Sequence, residues 1–88
     1  MKIGLIGAGR LGLCLALLME EAGYDVIASD VRADYIASLN QKVIDTTEPE
    51  VKDLLKDSKN IYFTTVNQEV IHEADIIFTL VRTPSLEN

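Results

Sequence analysis

Lys2-Ile3-Gly4-Leu5-Ile6-Gly7-Ala8-Gly9-Arg10-Leu11-Gly12 decides the fold. A short run rich in Ile and Leu passes straight into glycines spaced G-x-G-x-x-G. Leu11, Leu13, Cys14, Leu15, Leu17, Leu18 and Met19 then follow, up to Glu20-Glu21 and Gly23. A continuous apolar run ending in glycine is the mark of a strand buried on both faces. A longer apolar stretch closed by acids and a glycine marks a helix with its C-terminal stop. The opening therefore reads as strand, tight turn, helix.

Working outward, Asp25-Val26-Ile27-Ala28-Ser29-Asp30 repeats the strand signature. Ala33 to Asn40 predicts a short helix with Tyr35, Ile36 and Leu39 on one side. A polar stretch around Asp45-Thr46-Thr47 leads to Pro49, placed where a first helical turn tolerates proline, with Val51, Leu54 and Leu55 on one face. Ile61 to Thr65 is rich in β-formers, Gln68 to Glu73 predicts a short helix, and Ile76 to Val81 a fourth strand. Strands alternating with helices give an α/β fold with a parallel sheet and right-handed crossovers, in the spatial order 3-2-1-4. That order is the first half of a doubly wound Rossmann-like fold. Residues 1–88 are thus expected to form one partial, incomplete dinucleotide-binding domain.

Composition narrows what such a unit can do. With 88 residues there is no room for a second, substrate-binding domain. Fourteen acidic against eight basic residues leave a formal charge of −6, which repels nucleic acid and anionic membrane surfaces. A single cysteine, Cys14, permits neither an internal disulfide nor a thiolate cage, and no other metal-ligand spacing occurs, so no metal is expected. No apolar stretch spans a bilayer and no signal-peptide pattern opens the chain, which points to the cytoplasm. Cys14 lies in the apolar helix, where a thiol behaves as a small hydrophobe. His72 sits beside Glu73 on a polar segment and reads as solvent-facing.

The chemistry concentrates at the glycines. Gly7 permits the tight turn, Gly9 lets the backbone approach a pyrophosphate, and Gly12 lets helix and strand pack closely. The amides of the first helical turn, through Arg10 and Leu11, face the anion, and the helix dipole adds about half a positive charge there. Asp30 closes strand two, eighteen residues after Gly12, where this fold places an acid on the adenosine ribose. A carboxylate there favours NAD over NADP. Arg32, two residues on, is the feature that would welcome a 2′-phosphate, although an arginine after a strand is commonly solvated. By motif alone, two other readings fit: another NAD-dependent Rossmann oxidoreductase, and a non-catalytic nucleotide-sensing module.

Taken together, several segments carry a resemblance to a known family. They are Met1-Lys2-Ile3, Gly7-Ala8-Gly9-Arg10-Leu11-Gly12-Leu13, Asp30, Glu48-Pro49 with Leu54-Leu55, Phe63-Thr64-Thr65, Ala74-Asp75-Ile76-Ile77-Phe78 and Thr83-Pro84. The whole chain resembles the N-terminal segment of the UDP-glucose/GDP-mannose dehydrogenases. The resemblance implies an NAD-dependent oxidation of a nucleotide-sugar C6 alcohol to a carboxylate, with UDP-glucose foremost. It also implies a cofactor site made of Gly7, Gly9, Arg10, Leu11, Gly12 and Asp30, with Val81 and Thr83 in the turn after strand four. The family's catalytic cysteine and its assisting residues lie beyond residue 88, so no catalytic residue is expected here and the segment alone is expected to be inactive. The nucleotide sugar would be held through those missing residues. The sequence departs from the family at Arg10, at Tyr35, where lysine is frequent, and at Arg82, where proline is common. Helix one is apolar almost all round, which predicts an exposed apolar patch, or a partner surface, on its far side, where the resemblance implies that the missing C-terminal part packs; a homo-oligomer is the other partner expected.

Overall fold

The computed structural model of the chain describes residues 1–7, 9–43 and 49–80. The apolar runs form β1 (Lys2–Ile6), β2 (Asp25–Ser29), β3 (Ile61–Thr64) and β4 (Ile76–Thr79). Between them lie α1 (Arg10–Glu21), α2 (Ala33–Asn40), α3 (Pro49–Asp57) and α4 (Asn67–Glu73). All strand pairings are parallel, and the sheet order is β3-β2-β1-β4, as the alternation of elements predicts. Leu5 of β1 stands in register with Ala28 of β2 and Phe78 of β4, and Ala28 with Phe63 of β3.

Period-two alternation divides the strand residues between two faces. Leu5, Val26, Ala28 and Phe63 join Leu13, Ala16 and Leu17 of α1, Ile36 and Leu39 of α2, and Val51 and Leu55 of α3 in one buried cluster. Each Leu, Val or Phe so buried contributes about 1.5–3 kcal/mol. Cys14 is a free thiol, half-buried against this cluster. On the opposite face Val70 of α4 is fully buried, and α4 lies over β1 and β2. The two connections that run outward, β1 to β2 and β2 to β3, thus keep their helices on one face, and the return to β4 crosses the other.

Local chemistry fixes the ends of the elements. Helix α1 stops at a paired motif in which Gly23, at φ +107°, donates to the Glu20 carbonyl and Tyr24 to that of Met19, as the glycine stop predicts. β3 is an edge strand, and its free edge is met by a side chain. The Asn40 amide donates to the Phe63 carbonyl at 2.9 Å and accepts from the Phe63 N–H at 3.3 Å, imitating a neighbouring strand. The strand ends shortly before the predicted Thr65, because the buried Thr64 hydroxyl takes the Val66 N–H and turns the chain toward α4. Strand β4 is assigned to Thr79, and Leu80 N–H continues the ladder to the Ile6 carbonyl at 2.9 Å. The predicted extension to Val81 and the Asp45-Thr46-Thr47 stretch lie outside the described residues.

The apolar surplus of α1 is partly absorbed by α3, whose Val51 and Leu55 pack with Leu13 and Leu17. Leu11 and Leu18 remain 73% and 55% exposed, with half-buried Leu15 between them on the same stripe. All four residues of β4 are exposed, Ile76, Ile77 and Phe78 among them. His72 is exposed on α4.

Candidate functional site

The carboxyl ends of β1 and β4 flank the point where the sheet order reverses, with that of β2 on the other side of β1, and ligands of such sheets bind in that crevice. The turn from β1 into α1 is held from both sides: Gly7 N–H donates to the Ser29 carbonyl at 2.8 Å, and Leu80 N–H to Ile6. Gly7 adopts φ +100°, and a Cβ there would meet the Leu80 carbonyl oxygen at 2.5 Å, so both conformation and space require glycine. Gly12, one turn into α1, is fully packed: a Cβ on it would collide with the carbonyl oxygen of Gly7 and reach Leu80 Cδ1 at 3.0 Å. These two glycines let the helix start directly over the strand.

Gly9 is different. It is the residue preceding α1, with φ −66° and ψ −170°, an extended conformation open to any residue. Among the described residues, a Cβ on it would meet only Nη2 of Arg32, at 3.9 Å. Nothing among the described residues demands a glycine at this position, so the space above it is a cradle that a side chain would fill. The helix beyond is equally bare. Gly9 offers no side chain to cap it, the first turn carries no acid, and the first intrahelical bond is Leu13 N–H to the Gly9 carbonyl at 2.7 Å. The first-turn amides, Arg10 and Leu11 among them, are therefore donors for an anion, reinforced by the dipole. The Leu11 side chain points away to solvent.

Asp30 follows β2, its N–H bound to the Thr64 carbonyl at 3.0 Å and its side chain 10% exposed. Its carboxylate is held by Arg32 three times over. Oδ1 accepts the Arg32 backbone N–H at 2.9 Å and Nε at 2.9 Å, and Oδ2 accepts Nη2 at 3.1 Å. Hydrogen bonding from the guanidinium, opposed by burial, holds the Asp30 carboxyl below its ordinary range and keeps it ionised at neutral pH. The same guanidinium lies 4.3 Å from the centroid of the Tyr35 ring, a cation–π contact. Tyr35 packs in turn against the core, and its burial raises the phenol's titration point. Below, the buried Ser29 hydroxyl donates to Asn67 Oδ1 at 2.6 Å, tying the start of α4 to the end of β2.

The structure brings Gly7, Gly9, Arg10, Leu11, Gly12 and Asp30 to one end of the sheet, and Val81 and Thr83 lie outside the described residues. Arg32 is engaged rather than merely solvated. The sequence signal for that was the spacing Asp-x-Arg, since an aspartate readily accepts the N–H two residues on. The stacking of Arg32 on Tyr35 carried no such signal.

Known proteins bear on this geometry. The UDP-glucose 6-dehydrogenase TuaD of Bacillus subtilis is 34% identical over 86 residues, covering 94% of this chain and 19% of its own length. The UDP-N-acetyl-D-mannosamine dehydrogenase of Pyrococcus horikoshii is 30% identical over 86 residues, 96% of this chain and 21% of its own. Among solved structures, the GDP-mannose dehydrogenase of Pseudomonas aeruginosa superposes with a TM-score of 0.89 at 30% identity, over 97% of this chain and 20% of that one. The chain thus spans about a fifth of the length of these relatives. The family model described as UDP-glucose/GDP-mannose dehydrogenase family, NAD binding domain, matches residues 1–88, and with the glycine turn and the sheet order it shows that the chain belongs to that family through its NAD-binding domain.

Proposed function

We propose that this segment holds NAD within a nucleotide-sugar 6-dehydrogenase that oxidises a sugar C6 alcohol to a carboxylate, with UDP-glucose as substrate. The observation that carries the proposal is the cradle at Gly9, where no described residue stands in the way of a Cβ, set against an uncapped helix start. The backbone of Gly7, Gly9, Arg10, Leu11 and Gly12 would receive the pyrophosphate, and Asp30 would accept a hydroxyl of the adenosine ribose. Val81 and Thr83 would complete the site beyond β4. Bound NAD supplies a hydride acceptor, and the role of these residues is to bind and orient it. The reacting groups and the sugar's contacts lie in the rest of the enzyme. Residues 1–88 are on this reading the first part of a larger cofactor domain. The exposed apolar residues of β4 and the stripe Leu11, Leu15 and Leu18 support that reading, being surfaces that a longer sheet and its helices would cover.

Asp30→Ala tests the ribose contact. Loss of one hydrogen bond to a charged group costs about 1.5–3 kcal/mol, so NAD affinity measured by calorimetry should fall roughly 10- to 100-fold. Asp30→Asn retains an oxygen for the Arg32 N–H, so a comparable fall in that variant would exclude a simple loosening of the turn. Unchanged affinity in both would remove Asp30 from the site.

A further inference from the structure

We infer that Arg32 makes the adenosine end of this site accept a 2′-phosphorylated dinucleotide as well as NAD. The inference rests on the dinucleotide reading above and concerns what the site does with the ribose. A carboxylate offers about four lone-pair positions, and a bare one takes both hydroxyls of a ribose diol. Three of those positions on Asp30 are filled by N–H groups of Arg32, two of them on Oδ1. With Arg32 in place, Asp30 has one position left, enough for a single hydroxyl.

The guanidinium has surplus donors of its own. It carries five N–H groups in a planar fork. Two serve Asp30, and the side chain is 55% exposed. The Tyr35 ring, 4.3 Å from Cζ, and the fork on Asp30 fix its plane, so the remaining donors are oriented before any ligand arrives. Its Nη2 lies beside Gly9, so it occupies the ground between the glycine turn and the acid, where the adenosine end of a dinucleotide would pass. A ligand there meets a carboxylate–guanidinium pair of no net charge with N–H groups that no described residue takes, and not the lone negative charge that rejects a 2′-phosphate. A phosphate would take those donors without displacing the Asp30–Arg32 pair.

The test is a titration of the protein with NAD and with NADP, unmodified and as Arg32→Ala and Arg32→Lys, folding being verified by circular dichroism. The unmodified protein should bind NADP within about tenfold of NAD. Arg32→Ala should shift the preference toward NAD by roughly 10- to 100-fold, the effect of losing charge-assisted hydrogen bonds to phosphate. Arg32→Lys, a charge without the fork, should recover only part of that shift. Adenosine 2′-phosphate should compete with NADP for the unmodified protein more strongly than for Arg32→Ala. NADP bound more than a hundredfold more weakly than NAD, or Arg32→Ala weakening both ligands equally, overturns the inference and leaves the NAD site standing. Binding of neither dinucleotide overturns both.

Discussion

Gly9→Val is expected to remove NAD binding while leaving the chain folded. The residue's extended backbone suits a β-branched side chain, and the nearest atom to a Cβ among the described residues, Arg32 Nη2 at 3.9 Å, stands at ordinary contact distance. Exchanging one uncapped residue before the helix for another changes stability by about 1 kcal/mol or less. The binding effect is of another order. Valine would occupy the space through which a pyrophosphate reaches the first-turn amides, and losing two charge-assisted hydrogen bonds at about 1.5–3 kcal/mol each weakens NAD more than 100-fold. Calorimetry beside a thermal melt checks both halves. Normal NAD binding by a folded Gly9→Val protein would make the glycine turn purely architectural.

Gly12→Val should do the reverse and damage the fold. Its Cβ would press on the Gly7 carbonyl oxygen, a backbone atom fixed by φ +100° and by the Gly7 bond to Ser29, so no flexible side chain can yield. Helix α1 would have to lift from β1, opening the cluster that joins Leu5, Leu13 and Leu17. Overpacking of this kind costs about 3 kcal/mol. For a chain of this size that lowers the melting midpoint by roughly 12–24 °C. A midpoint within a few degrees of the unmodified protein would refute the close-packing role. Two glycines three residues apart thus separate experimentally into one that serves the ligand and one that serves the fold.

Much of this architecture was legible because the residues that end each element are explicit. Gly7 needs positive φ, Gly23 closes α1, and the apolar runs from Lys2, Asp25, Ile61 and Ile76 became the four strands. What stayed hidden depends on contacts distant in sequence. Asn40 pairs with Phe63 across a free strand edge, which no periodicity marks. Lys42, at φ +63°, sends its ammonium to the carbonyl of Lys56 in the last turn of α3 and to that of Ser58 just after it, a cap supplied from another part of the chain. The site was legible in part for the same reason. Gly9 and Asp30 follow from motif and spacing, whereas the hold of Arg32 on Asp30 depends on where β2 stops and on the Tyr35 ring one helical turn later. The exposed apolar side of α1 follows from its composition and is the stripe of Leu11, Leu15 and Leu18, whereas the packing of α3 with Leu13 and Leu17 is a contact between distant segments.

A dinucleotide seated on the β1–α1 turn with its ribose at Asp30 would be seen by following backbone amide chemical shifts while NAD is added. Saturable shifts should be largest at Gly7, Gly9, Leu11, Gly12 and Asp30. Absence of any saturable change at the glycine turn, or changes centred at the opposite end of the sheet around Lys2 and Asp75, would contradict that seating.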